Sequence, residues 1–185
     1  MIQYIVLLRG INISGKNKVP MSELKKELEC LGYQDVRTYL NSGNAIFKSN
    51  IEDTNVIKEE IQNMIQKAFA LDIPVYITTE NELRDLLRHT PEWWGTNQKE
   101  IYDNIIFILP PATYQKVIDT IGFPNAYEKI EEYKNHIFWS YDLKNYRKTN
   151  WWSKTASTEI AHSITIRTAN TMKKILELMD KSSSM

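Results

Sequence analysis

The chain is short of the residues from which most active sites and anchors are built. It has one cysteine, Cys30, so it forms no internal disulfide, and that residue reads as a small buried hydrophobe rather than a reactive thiol. The three histidines, His89, His136 and His162, are scattered and form no zinc-ligand spacing with Cys30. No metal and no cofactor is implied. Acidic and basic side chains balance at 23 each, so no strong overall attraction to nucleic acid or membrane is expected, and only a local patch could provide one. No apolar run approaches the ~20 residues needed to span a bilayer. The start of the chain, where Gln3 and Arg9 bracket only Tyr4 to Leu8, lacks the pattern of a signal peptide. The cytosol is the expected location.

The 185 residues suffice for one large domain or two small ones. Tyr4 to Leu8 is a continuous apolar strand. Pro20 suits the first position of a helix whose stripe is Met21, Leu24, Leu28 and Leu31, with Gly32 ending it. Val36 to Leu40 and Ala45 to Lys48 read as strands joined by the turn Asn41-Ser42-Gly43-Asn44. Asp53 caps a helix carrying Ile57, Ile61, Met64, Ile65 and Ala68, and Ile73 to Thr78 is a fourth strand. This is the βαββαβ order of a ferredoxin-like unit. A capping-box sequence, Thr79 to Glu82, then opens a short helix that Thr90-Pro91 stops.

The same order recurs in strand Ile105 to Leu109, helix Tyr114 to Ile121, a hairpin around Lys134-Asn135, an ambiguous segment, and strand Ser163 to Thr168. A last helix carries Met172, Ile175, Leu176 and Met179, and the residues from Ser182 onward read as disordered. The fold class is therefore α+β: two ferredoxin-like units in tandem, with additional helices after the first unit and at the C-terminus. Residues 1–79 form the first unit, 80–103 a connecting helix and loop, and 104–185 the second unit with its final helix. Tyr4 to Leu8 and Ile105 to Leu109 do not alternate apolar and polar residues, so both faces of these central strands should be covered.

In such a unit the loop after strand one and the turn between strands two and three lie at the same end, on neighbouring strands. The topology thus gathers Arg9, Asn12, Lys16 and Lys18 with Ser42 and Asn44. Three bases and no acid lie between Arg9 and Lys18, a composition suited to phosphate or carboxylate. Gly10 to Asn17 falls one residue short of the phosphate-loop pattern. Asn17 replaces the hydroxyl that would hold Mg²⁺, Pro20 starts the helix too late, and no strand ends in a suitable Asp. These departures argue against nucleotide hydrolysis by that mechanism.

A second patch, Lys144 to Lys154, interleaves Lys144, Arg147, Lys148 and Lys154 with Tyr146, Trp151 and Trp152. Its composition suits single-stranded nucleic acid, but the second tryptophan pair, Trp93-Trp94, and the net neutrality of the chain favour a segment whose tryptophans plug the core while lysines face water. Arg167, on the last strand, needs a partner if its face is covered, and serves either an ion pair or a ligand clamp.

The run Leu7 to Asn12 with Gly15-Lys16-Asn17 and Val19-Pro20-Met21, and then Asp35 to Tyr39 with Ser42-Gly43-Asn44, resembles the bacterial family called domain of unknown function 1697. The ending Thr165 to Thr171 is similar to that family's closing pattern T-x-R-N-W-N-T, departing from it at Thr168 and Ala169. The resemblance implies a cytosolic bacterial protein of mixed α and β structure and transfers no catalytic residue. The expected function is binding of a small anionic ligand at the loop after strand one. The alternatives are an enzyme acting on a phosphorylated or nucleotide substrate at that end, and single-stranded nucleic acid binding through residues 144–154.

Overall fold

Strand β1 (Ile2–Leu8) sets the plan of the first half, because every residue from Tyr4 to Leu8 is fully buried. In the computed structural model, which describes residues 1–183, β1 lies inside a four-stranded antiparallel sheet with β2 (Gln34–Tyr39), β3 (Asn44–Ser49) and β4 (Val75–Thr79), in the order β2-β3-β1-β4. Read from the other edge this is 4-1-3-2, which makes β1 and β3 neighbours as expected. Side chains alternate across a strand. Tyr4, Val6 and Leu8, with Ala45 and Phe47 of β3, therefore share a face, which packs on Leu24 and Leu28 of α1 (Met21–Cys30) and Ile57, Ile61 and Ile65 of α2 (Thr54–Phe69). Pro20 sits one position earlier than expected, at the N-cap of α1, where its carbonyl accepts from Leu24 N at 2.9 Å. Asp53 caps α2 by accepting from Asn55 N at 2.8 Å.

Ile5, Leu7 and Ile46 point to the opposite face and are equally buried. Arg37, opposite Ile46 in the register, donates to the carbonyl of Leu178 at 3.0 Å, so the end of the last helix, α6 (Ala169–Ser183), reaches that face. Arg84 of α3 (Glu80–Arg88) is bound to Asp180 of α6. The chain divides into two compact units, Met1–Arg84 with Ile175–Met185, and Asp85–Lys174.

The second unit repeats the plan with β5 (Ile101–Ile108), β6 (Glu128–Tyr133), β7 (His136–Asp142) and β8 (Ile164–Thr168), in the order β6-β7-β5-β8. One face of this sheet carries Ile106, Ile108, Ile137 and Trp139 against Val117 and Ile121 of α4 (Tyr114–Ile121). On the other, Phe138 meets the edge of Trp94 at 5.3 Å between ring centres, and Trp94 Nε1 donates to the carbonyl of Asn104 at 2.8 Å. The ambiguous segment between β7 and β8 is a 3-10 turn (Tyr146–Lys148), the short helix α5 (Trp151–Ser157) and a second 3-10 turn (Glu159–Ser163).

Three further expectations are corrected. Strand β5 begins at Ile101 rather than Ile105, because buried Asp103 and Asn104 find polar partners within the sheet and its flanking loop. Cys30 is exposed, since it ends α1 on the side away from Leu24 and Leu28. The expected disordered tail starts too early: α6 continues through Ser183, and Ser184 and Met185 lie outside the described residues. No helix among the described residues is long and apolar enough to cross a membrane.

Candidate functional site

The loop after β1 is a miniature hairpin. Ser14 and Gly15 both have positive φ, 49° and 76°, the geometry of a type I′ turn. Lys16 N donates to Ile13 O at 2.9 Å and Asn12 N to Asn17 O at 3.0 Å. Backbone N–H groups that a phosphate loop would aim at its ligand are thus used inside the hairpin. The result is a projecting finger, with Ile13 61% exposed and Lys16 and Lys18 in solvent.

The finger meets the β2–β3 turn as the topology requires. Asn12 is the tie: its Nδ2 donates to Val19 O and to Asn41 O, both at 2.9 Å, and its Oδ1 accepts from Val19 N at 2.9 Å. Leu8 N donates to Gly43 O at 2.8 Å. Gly43 has φ +81°, and a Cβ there would lie 2.7 Å from Leu8 Cβ and 2.8 Å from Ile11 Cδ1. Only glycine permits that approach.

Two of the expected ligand-binding residues are therefore committed to the scaffold. Both amide hydrogens of Asn12 are donated within the protein. Asn44 is fully buried, and its Nδ2 donates to Tyr39 O at 2.8 Å and Ser42 Oγ at 3.0 Å. Ser42 Oγ is thereby engaged within the turn. Lys16 and Lys18 make no side-chain hydrogen bond or ion pair among the described residues. Arg9 is half-buried at the base of the finger, and desolvation lowers its pKa from the usual arginine range.

The Lys144 to Lys154 segment separates into two populations. Trp151 is fully buried, and its Nε1 donates to Gly122 O at 3.0 Å. Lys154 Nζ donates to Ile121 O at 2.9 Å, satisfying the end of α4. Neither is offered to a ligand. Beneath them Glu128, itself buried, accepts from Trp139 Nε1 at 3.0 Å, Asn150 N at 2.7 Å and Trp151 N at 3.3 Å. That carboxylate caps α5 from a strand distant in sequence, and its role carries no local signature. On the outer side, Tyr146 meets Trp152 edge-on at 4.6 Å, Arg147 lies over the Tyr146 ring, and Lys148 lies over Tyr127. Lys144 is exposed.

Arg167 is buried on β8. Its Nη1 donates to Thr165 Oγ1 at 2.8 Å and Ile166 O at 2.9 Å, and desolvation lowers its pKa to about 10. The closing motif continues into the cap of α6, where Thr171 N donates to Thr168 Oγ1 at 3.2 Å. Among the described residues no group of three His, Cys, Asp or Glu side chains is placed to hold a metal ion.

Two tandem four-stranded βαββαβ units, the first bearing a basic finger stapled to its hairpin turn, define an α+β protein of ferredoxin-like architecture. The chain belongs to the family described as protein of unknown function (DUF1697), whose family model matches residues 1–138. Among solved structures it is similar to the conserved bacterial protein SP0830 from Streptococcus pneumoniae, with 28% identity and a TM-score of 0.84 over 96% of this chain and 98% of that one. An unknown protein from Galdieria sulphuraria also aligns, over 90% of this chain and 96% of that one, at 10% identity and a TM-score of 0.26. No curated protein matches.

Proposed function

We propose that the finger end of the first unit binds a small ligand through a phosphate or carboxylate group. The observation that carries this reading is the pair Lys16 and Lys18, exposed without protein partners on a hairpin that Asn12 holds in place. A rigid mount lowers the ordering cost of binding. Arg9 adds a third cation whose burial penalises its charge, a penalty that a nearby anion offsets. Ser42 supplies a neutral hydroxyl beside them. Titration with inorganic phosphate and with malonate, followed by NMR at low salt, tests the reading. Saturable shifts at residues 9–18 and 42 support it, and the Lys16→Ala/Lys18→Ala double variant should weaken binding at least about tenfold, the equivalent of one charge-assisted contact. Unchanged affinity in that variant rejects it.

A second reading, single-stranded nucleic acid on the outer 144–154 surface, is favoured by one observation. Trp152 is 43% exposed beside Tyr146 and Arg147, and Phe123, 74% exposed, lies on the loop that Asn125 ties to Lys148 O at 2.8 Å. Exposed rings flanked by cations suit base stacking. A Trp152→Ala variant should lose binding to an oligothymidylate that the intact protein retains at low salt. Absence of any mobility shift with the intact protein eliminates this reading.

A further inference from the structure

At the opposite end of β1 from the finger lies a small polar cleft of about 290 Å³, lined by Met1, Ile2, Gln3, Lys48, Thr79, Glu80 and Asn81. Gln3 is 7% exposed, and its Nε2 is the buried side-chain nitrogen that lacks a hydrogen-bond partner among the described residues. Its Oε1 makes no protein hydrogen bond among the described residues either. Buried polar groups are satisfied in the great majority of cases, and an orphan marks a place where something outside the chain completes the bonding. The neighbouring strand positions show how rarely this chain tolerates such a gap: Tyr4 donates to Ile51 O at 2.6 Å, and Thr78 and Thr79 both donate to Glu82.

The geometry around Gln3 narrows what completes it. The first turn of α3 closes the cleft, and Glu80 and Asn81 occupy positions whose backbone N–H groups have no partner in helical geometry. The Glu82 N–H is already taken by Thr79 Oγ1. Charges near the cleft are matched or bound. Glu80 is held by Arg84 at 2.6 Å, Lys48 by Asp35 at 2.6 Å, and the Glu82 carboxylate accepts from Thr78 Oγ1, Thr79 N and Thr79 Oγ1. With the N-terminal ammonium of Met1, which also lines the cleft, the named charges balance at three of each sign, so the surroundings favour neither an anion nor a cation. A primary amide with both ends unbonded presents one donor and one acceptor side by side. Its complement is a group with an adjacent acceptor and donor.

We infer that this cleft is a binding site for a small neutral ligand with an amide-type edge, a carboxamide or a heterocycle of like pattern, whose carbonyl accepts from Gln3 Nε2 and whose N–H donates to Gln3 Oε1. The α3 first-turn N–H groups extend the donor surface toward the ligand's acceptor. A cleft of this volume holds a single ring or a short amide and no larger group. The site is separate from the anion-binding finger and does not rest on it.

The test uses the intact chain, with nicotinamide as the amide probe and nicotinate as its carboxylate counterpart, followed by NMR through the Gln3 side-chain NH₂ resonances. Nicotinamide should shift those resonances saturably, and nicotinate should bind there about tenfold more weakly, since it offers no donor to Oε1. Gln3→Met keeps the length and apolar packing without the amide, and Gln3→Glu keeps the shape without the donor. Both should reduce nicotinamide affinity about tenfold, with an unchanged melting temperature for Gln3→Met as the control for folding. The inference is overturned if nicotinamide gives no saturable shift at Gln3, if nicotinate binds there as well as the amide, or if both variants bind like the parent.

Discussion

Both units solve the same local problem with one asparagine each, and place it on opposite partners. In the first unit the asparagine is on the loop: Asn12 reaches across to the carbonyl of Asn41 in the β2–β3 turn. In the second it is on the turn: Asn135 accepts from Tyr114 N at 2.7 Å and donates to Ala112 O at 3.2 Å, tying the β6–β7 hairpin to the loop after β5. Asparagine suits both because it tolerates positive φ, 55° at Asn12 and 63° at Asn135, while its amide bonds in two directions. The consequence differs. A tie on the loop allows that loop to grow into a hairpin with its own cations. A tie on the turn leaves the β5–α4 loop short and without a basic residue, and the binding chemistry proposed for the first unit has no counterpart there.

The units also differ in their second helical element. Unit one uses the regular helix α2, whereas unit two uses the broken segment around α5, which the Trp151 indole and the Glu128 carboxylate hold in place. The largest expected effect follows from this. Trp151→Ala should cost about 3–5 kcal/mol, read as a shift in the denaturant midpoint, because it empties a fully buried site. Trp152→Ala, the exposed neighbour, should stay within about 0.5 kcal/mol. Equal losses at the two positions would mean that the segment is not pinned through Trp151.

Next in size is the approach of finger to turn. Gly43→Ala combines positive φ with a Cβ 2.7 Å from Leu8, and should cost about 2–3 kcal/mol. Gly15→Ala at the finger tip has a similar φ but open space around it, and should cost about 1 kcal/mol. The difference between them, measured by thermal unfolding, isolates the close contact from backbone strain. Asn12→Ala and Asn135→Ala follow, each at about 1–3 kcal/mol for the bonds lost. Only Asn12→Ala should also raise hydrogen exchange in residues 12–17.

Sequence pattern reveals the sheets and the meeting of loop and turn because both depend on periodicity and connectivity. Tyr4 to Leu8 lacks alternation since both its faces are covered, and strand order alone puts Asn12 near Asn41. What the pattern hides is which polar side chain the fold has already committed. Asn12, Lys16 and Asn44 look alike as hydrogen-bonding residues in a loop, yet the two asparagines are tied internally and the lysine is not. Glu128 is equally opaque: it reads as half of a charged strand, and its donors lie on Trp139, Asn150 and Trp151. The early start of β5 is hidden for the same reason, since Asp103 reads as polar until Gly95 N and Ser140 Oγ are found bonded to it.

The smallest expected effect concerns a charged contact that the turn of unit two has in addition to its Asn135 tie. Around the turn of unit two, Asp85 accepts from Lys134 Nζ at 2.8 Å and from the Tyr133 hydroxyl at 3.0 Å. Those hydrogen bonds, the Lys134 one foremost, hold the Asp85 carboxyl below the usual carboxylate range. Because the folded-state value is the depressed one, the contribution is complete above the unfolded pKa of about 4 and disappears as pH falls through the folded value. The tie of unit one joins neutral amides and carbonyls and does not titrate. Asp85→Asn should therefore lower the unfolding midpoint slightly at pH 7 and progressively less as the pH falls below about 4, whereas the deficit of Asn12→Ala should stay constant over that range. If the Asp85→Asn deficit persists unchanged in acid, the carboxylate charge adds nothing at the second turn, and that turn, like the first, is held by neutral bonding alone.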